Sequence, residues 1–139
     1  MEFSRRETLA LGMGAAALAV LPIRAYASLT DDAIAAFTGG AEMADGGVTL
    51  TAPEIAENGN TVPIEVSAPG ASAIMVLATG NPTPAVATFN FGPLAASQAA
   101  STRIRLAGTQ DVMAIAKMAD GSFARATSTV KVTIGGCGG

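Results

Sequence analysis

The sequence predicts an all-β fold in which about seven strands form an antiparallel sandwich. The first observation is a series of short apolar or alternating runs, at residues 48–51, 62–67, 74–79, 85–91, 102–106, 112–117 and 122–134. The second is the set of turn signals between them, such as Pro69-Gly70, Gly80-Asn81-Pro82 and Asp120-Gly121. Strands of this number and spacing are typical of an immunoglobulin-like layout, which we therefore predict.

A short N-terminal helix and a terminal hairpin complete the predicted architecture. Residues 31–37 begin with two aspartates, which favour a helix N-terminus, and a pair of glycines soon follows the segment. Residues 129–134 alternate polar and apolar side chains, as a half-buried strand does. A turn at Asp120-Gly121 would pair this last strand with residues 112–117 and fix its end on a rigid sheet.

The first 27 residues predict an export signal. Arg5 and Arg6 form a twin-arginine pattern, and an apolar stretch over residues 9–21 leads to the small-residue site Ala25-Tyr26-Ala27. The apolar stretch is shorter than the roughly 20 residues that span a bilayer, which favours a cleaved signal over a membrane anchor. We predict cleavage after Ala27 and a periplasmic location. The predicted segments are a signal peptide at 1–27, a β-domain at 28–134 and a C-terminal arm at 135–139.

Composition excludes several classes of function. The predicted mature chain of 112 residues has five basic and nine acidic residues, so its negative charge disfavours nucleic acid and acidic membranes as partners. The chain has no histidine and one cysteine, which excludes histidine-dependent catalytic triads and the usual zinc and iron–sulfur sites. We predict no cofactor, no metal and no catalytic residue. Glu54 and Glu57 are predicted to lie on a solvated loop rather than to form a general acid and base pair.

The single cysteine, Cys137, lies in the sequence Gly135-Gly136-Cys137-Gly138-Gly139, directly after the last predicted strand. Glycine lacks a Cβ atom and is conformationally free, so we predict a flexible arm that spans about 17 Å when extended. No basic residue is nearer in sequence than Lys131, and no helix N-terminus is predicted beside the thiol to favour the thiolate. The pattern therefore indicates a thiol to which a chemical group is covalently attached. Other proteins are expected to activate this thiol.

The chain resembles the SoxY family, the sulfur-carrier subunits of the thiosulfate-oxidising Sox system. The resemblance covers essentially the whole predicted mature chain, and the terminal Gly-Gly-Cys-Gly-Gly is its most specific element. The other matching segments are Lys131-Val132-Thr133-Ile134, Thr102-Arg103-Ile104-Arg105-Leu106-Ala107, Ala56-Glu57-Asn58-Gly59 and Val62-Pro63.

The resemblance implies a periplasmic, non-catalytic protein that forms a heterodimer with a SoxZ-like subunit exported as its passenger. It also implies that Cys137 is the covalent attachment point for sulfur. A c-type cytochrome complex would join thiosulfate to the thiol, a hydrolase would release sulfate, and a sulfur dehydrogenase would oxidise the remaining sulfur. Tethered intermediates stay concentrated near each enzyme.

Two other interpretations of the C-terminal sequence remain open. Cys137 in a secreted β-sandwich can form an interchain disulfide that links two copies of the chain. Cytosolic ubiquitin-like sulfur carriers also end in Gly-Gly, although the export signal argues against that class.

Arg103 and Arg105 lie two residues apart on one predicted strand face, where they are either solvated or in contact with a carboxylate, a partner or an anionic cargo.

Overall fold

The computed structural model describes residues 21–136, with side chains from residue 28 onward. Helix α1 spans Leu21–Thr38. It ends where we predicted, since Gly39 and Gly40 have φ of 66° and 85°. Within the described residues it already extends ten residues before the predicted Asp31, because residues 21–30 include several good helix formers, such as Leu21, Arg24 and Ala25. In the described range, no helix is long and apolar enough to span a membrane.

Nine strands are present within residues 21–136. They are β1 (Met43–Asp45), β2 (Thr49–Thr51), β3 (Ile55–Asn58), β4 (Val62–Ser67), β5 (Ala71–Ala78), β6 (Ala85–Asn90), β7 (Ala99–Ile104), β8 (Gln110–Met118) and β9 (Phe123–Ile134). The larger sheet has the order β1-β9-β8-β5-β6, with β3 also paired to β9, and the smaller sheet has the order β2-β4-β7. The predicted all-β sandwich is therefore confirmed, and each of the seven predicted strands is among the nine.

Strands β1 and β3 were not predicted, and both pair with β9 in parallel orientation. The sandwich is thus not antiparallel throughout. Strand β3 includes Glu57, which we had assigned to a solvated loop, and only Ala56 of its four residues is buried. Such a short strand has no alternating pattern to detect. The chain turns directly after β3, where Thr61 donates its N–H to the Asn58 carbonyl at 3.4 Å.

The interior contains two apolar clusters, one on each face of the larger sheet. The main cluster fills the space between the sheets and includes the fully buried Ile74, Leu106 and Val130. The second lies between the outer face of the larger sheet and helix α1, where Phe37 and Phe123 form an edge-to-face pair with ring centroids 5.9 Å apart. Because α1 covers this face, β5 is buried on both sides and is almost continuously apolar.

Strand β9 is the element that leads to the cysteine. The predicted hairpin is confirmed, since Gly121 has φ 87° and residues Phe123–Val130 pair antiparallel with β8. The last part of β9 extends past the end of β8 and pairs with β3, from Ile55 opposite Lys131 to Asn58 opposite Ile134. The end of β9 is thereby held in the sheet up to its last residue.

Candidate functional site

The residues of the predicted carrier arm fall into two groups. Cys137, Gly138 and Gly139 lie outside the described residues. Gly135 and Gly136 are described and follow directly after β9. The geometry of these two glycines shows how the chain continues beyond β9.

Three segments that are distant in sequence meet at this point, in an arrangement that we call the clasp. It consists of Gly59, Leu106 and the Ile134–Gly136 segment. The N–H of Gly59 donates to the Ile134 carbonyl at 2.7 Å, and the N–H of Leu106 donates to the Gly59 carbonyl at 2.7 Å. The N–H of Gly136 then donates to the Leu106 carbonyl at 2.8 Å. The bonds form one continuous chain, and Gly59, Leu106 and Gly136 are all buried.

The clasp depends on glycine because its backbones approach too closely for side chains. A Cβ atom on Gly59 would overlap the Leu106 carbonyl oxygen and would lie 2.8 Å from the Gly136 nitrogen. A Cβ atom on Gly135 would overlap the carbonyl oxygen of Ala107. The sequence pattern predicts an arm that is free from Gly135 onward, whereas Gly135 and Gly136 are both in contact with the domain. Because glycine has no side chain, the sequence predicts conformational freedom here. In this structure the same property permits the backbones to pack closely.

A buried side-chain network holds the segment against which Gly136 packs. Asn81 is 2% exposed, donates from Nδ2 to the Arg105 carbonyl at 2.8 Å, and accepts at Oδ1 from the Ala107 N–H at 2.9 Å. It therefore binds the two residues that flank Leu106. Both bonds replace contacts with water that burial has removed, as a buried amide requires.

Gln110 completes this network from the first position of β8. Its Nε2 donates to Asn81 Oδ1 at 2.8 Å and to the Gly108 carbonyl at 3.1 Å. Its Oε1 accepts from the Gly80 N–H at 2.9 Å. This pair is not evident from the sequence, which predicts only a turn at Asn81 and no role for Gln110.

Arg103 and Arg105 lie on the exposed surface beside this network. Arg103 donates from Nη1 to Thr61 Oγ1 at 3.3 Å, and neither arginine forms an ion pair within residues 28–136. Both border an open depression of about 430 Å³ that Asn81 and Thr83 also line. Both arginine side chains are solvated in this structure, which is one of the alternatives stated above.

No group of three or more histidine, cysteine, aspartate or glutamate side chains in the described part of the chain is arranged to hold a metal ion. The backbone clasp itself contains no titratable side chain. Its role is structural, because it fixes the position of Gly136, the residue that precedes Cys137 in the sequence.

The comparisons with known proteins agree with the resemblance in sequence. The family model described as sulfur oxidation protein SoxY matches residues 34–137, a range that ends at Cys137. The solved structure of the sulfur carrier protein SoxY from Chlorobium limicola f thiosulfatophilum is 39% identical, with a TM-score of 0.67, and the match covers 78% of this chain and 99% of that chain.

Structures of lower identity share the fold alone. A superoxide reductase (neelaredoxin) from Ignicoccus hospitalis is 18% identical with a TM-score of 0.55, and the match covers 63% of this chain and 80% of that one. A comparison with curated protein sequences gives no match. The family match over most of the chain and the identity to a solved SoxY structure together show that this protein belongs to the SoxY family of sulfur oxidation proteins.

Proposed function

We propose that this chain is the periplasmic sulfur carrier of thiosulfate oxidation, with Cys137 as the covalent attachment site. The observation that carries the proposal is the position of the chain's single cysteine. It follows the clasped Gly136 directly and is flanked by glycines on both sides. The match to the SoxY family extends to this residue. A thiol at such a place is joined to a fixed root and has little side-chain bulk around it.

The proposed chemistry begins with oxidative coupling. The Cys137 sulfur forms a disulfide-type bond with the outer sulfur of thiosulfate, and the pair of electrons released passes to a c-type cytochrome partner. Hydrolysis of the terminal S–S bond then transfers the sulfonate to water, which releases sulfate and leaves a persulfide on Cys137. A sulfur dehydrogenase then oxidises the outer persulfide sulfur to a sulfonate, with oxygen atoms from water, and the six electrons released pass to a c-type cytochrome acceptor. A second hydrolysis releases this sulfonate as sulfate and restores the thiol. The enzymes supply every catalytic group, and this chain supplies the tether.

The proposed partner and location follow from the family and from the N-terminal sequence. We place the mature chain in the periplasm as a heterodimer with a SoxZ-like subunit. The twin-arginine signal transports folded proteins, so a subunit without its own signal can be exported as a bound passenger. The tether raises the effective concentration of each sulfur intermediate at the enzyme that acts on it, which is an advantage when intermediates are reactive.

Intact mass spectrometry tests the proposal. The protein is purified under non-reducing conditions from cells grown on thiosulfate, and its mass is compared before and after reductant. We expect reductant-labile additions of sulfur, sulfonate or thiosulfonate, located on the Cys137 peptide and absent from a Cys137→Ser variant. A mass that shows only bare thiol, or only a Cys137-linked homodimer, would overturn the proposal, and the homodimer would establish the structural alternative.

A further inference from the structure

The buried amides of Asn81 and Gln110 have no role in the proposed sulfur chemistry, yet they lie directly behind the clasp. Burying an amide side chain is costly unless its hydrogen bonds are replaced. In this structure the replacement partners of both side chains are concentrated on one short segment, from Arg105 to Gly108, and on Gly80. The network is therefore dedicated to the conformation of that segment.

The geometry shows what this conformation achieves. Asn81 bonds to the carbonyl of Arg105 and to the N–H of Ala107, so it holds the residues on both sides of Leu106. The N–H and the carbonyl of Leu106 itself remain directed away from Asn81, toward Gly59 and Gly136. A rotation of this peptide segment would break the bond to Gly136. Gln110 restrains the segment further along, at Gly108, and also supports Asn81 Oδ1.

We propose that Asn81 and Gln110 are positioning residues for the carrier arm. They hold Leu106 in the orientation that binds Gly136, and so they make Gly136, rather than Ile134, the fixed point from which Cys137 is presented. This inference rests on the proposed carrier function. When the network is broken, the root of the arm moves back along the chain toward β9, the tether becomes longer, and the local concentration of the thiol at a partner enzyme falls.

Hydrogen exchange of backbone amides tests the positioning directly on the full chain. In the wild type we expect the Gly136 amide to be protected, in contrast to an unbonded amide at a chain end. In Gln110→Met and in Asn81→Leu, which preserve much of the side-chain volume, Gly136 exchange should accelerate roughly fivefold, the factor that one ordinary hydrogen bond contributes. The amides of Ala114 and Ala126, which are paired across β8 and β9, should keep their wild-type rates.

This comparison separates positioning from general stability. Equal acceleration at Gly136, Ala114 and Ala126 would mean that the network only stabilises the fold, and it would overturn the inference. An unprotected Gly136 amide in the wild type would overturn it as well. Gln110 is 9% exposed and lies at the edge of the network, so we expect Gln110→Met to fold. This variant therefore decides the test even if Asn81→Leu does not fold.

A variant of the arm itself supplies a second test. Gly136→Ala lies beyond the last strand, and its Cβ atom would lie 3.0 Å from the Gly59 oxygen and 3.2 Å from the Leu106 oxygen. It should loosen the clasp without affecting the β8–β9 pairing. Gly92→Ala is the matched control, because Gly92 lies outside the network and its Cβ atom would meet nothing within 4 Å.

The functional readout is the loading of Cys137 by thiosulfate in the presence of the c-type cytochrome partner, with this chain as the varied substrate. We expect Gln110→Met and Gly136→Ala to raise KM roughly threefold at unchanged kcat, as a tether of about twice the length would. An unchanged KM in variants whose Gly136 amide is released would overturn the inference and leave the carrier function intact. A wild-type chain that is never loaded would instead overturn the proposed function, while the exchange rates would still decide whether the network positions Gly136.

Discussion

The N–H of Gly59 donates to the carbonyl oxygen of Ile134 at 2.7 Å, one step beyond Asn58 and Ile134, the last registered pair of β3 and β9. The bond extends the parallel pairing past the end of both strands. It joins the turn after β3 to the last residue of β9, so the end of the sheet is also the start of the arm. A residue far from Cys137 in sequence therefore controls the root of the carrier segment.

The substitution Gly59→Ala should destabilise the protein by about 1–3 kcal/mol, as overpacking of a tight site does. Alanine retains the N–H and the carbonyl of residue 59. The substitution therefore tests only the steric conflict between the added Cβ atom and the Leu106 oxygen. Urea unfolding measures the change in free energy. Gly92→Ala is the control, because a Cβ atom there would meet nothing within 4 Å. Equal stability of the two variants would contradict the close approach at Gly59.

The substitution Ile115→Ala should cost about 2–5 kcal/mol, the usual range for truncation of a large core side chain. Ile115 is fully buried between the larger sheet and helix α1. Thermal and urea unfolding would measure the loss. Leu94→Ala serves as the comparison, since Leu94 is 97% exposed and its truncation should change stability by less than about 0.5 kcal/mol. A small effect at Ile115 would mean that α1 does not cover this face.

The ion pair between Arg125 and Asp45 should contribute little to stability. Arg125 Nε lies 2.9 Å from Asp45 Oδ1, but the two side chains are 42% and 84% exposed. Exposed pairs are screened by solvent and typically contribute about 0–1 kcal/mol. We expect Asp45→Asn to lower the free energy of unfolding by less than about 1 kcal/mol, and to do so less at high salt. A larger loss that salt does not reduce would show that β1 depends on this pair.

The turn between β8 and β9 should show a small dependence on pH. Hydrogen bonds from the Ser122 hydroxyl and then from its N–H lower the pKa of Asp120 below its ordinary value of 3.8. A lowered pKa in the folded state means that the ionised carboxylate stabilises the turn above the unfolded value, and that this contribution is lost as pH falls through the folded value. NMR titration of the Asp120 carboxyl should show the shift, and Ser122→Ala should reduce it. An Asp120 pKa that Ser122→Ala leaves unchanged would contradict this assignment.

Local patterns were sufficient to predict most of the architecture. The seven predicted strands, the β8–β9 hairpin and the end of helix α1 each have a signal within a few neighbouring residues, such as the glycines after Thr38. Strands β1 and β3 have three and four residues, and their parallel pairing with β9 depends on distant contacts, which no local pattern reveals.

The candidate site was predicted only in part, for the same physical reason. The glycines around Cys137 were visible in the sequence, but their packing against Gly59 and Leu106 was not. Asn81 and Gln110 are 29 positions apart, and each looks like an ordinary surface residue in sequence. Only the fold shows that their amides are buried together. The available signal was an asparagine in a turn, directly before Pro82, which indicates neither burial nor a partner.

The length of helix α1 has a consequence for maturation. The predicted processing site after Ala27 lies within α1, so cleavage would shorten this helix and leave residues 28–38. Side chains of α1 are described from residue 28 onward, and among these Ala33, Ile34 and Phe37 pack on the outer face of the larger sheet. All three lie in the predicted mature chain, so cleavage after Ala27 would leave their contacts with the second apolar cluster in place. These contacts between helix α1 and the larger sheet are thus available to the precursor before transport and to the processed protein afterwards.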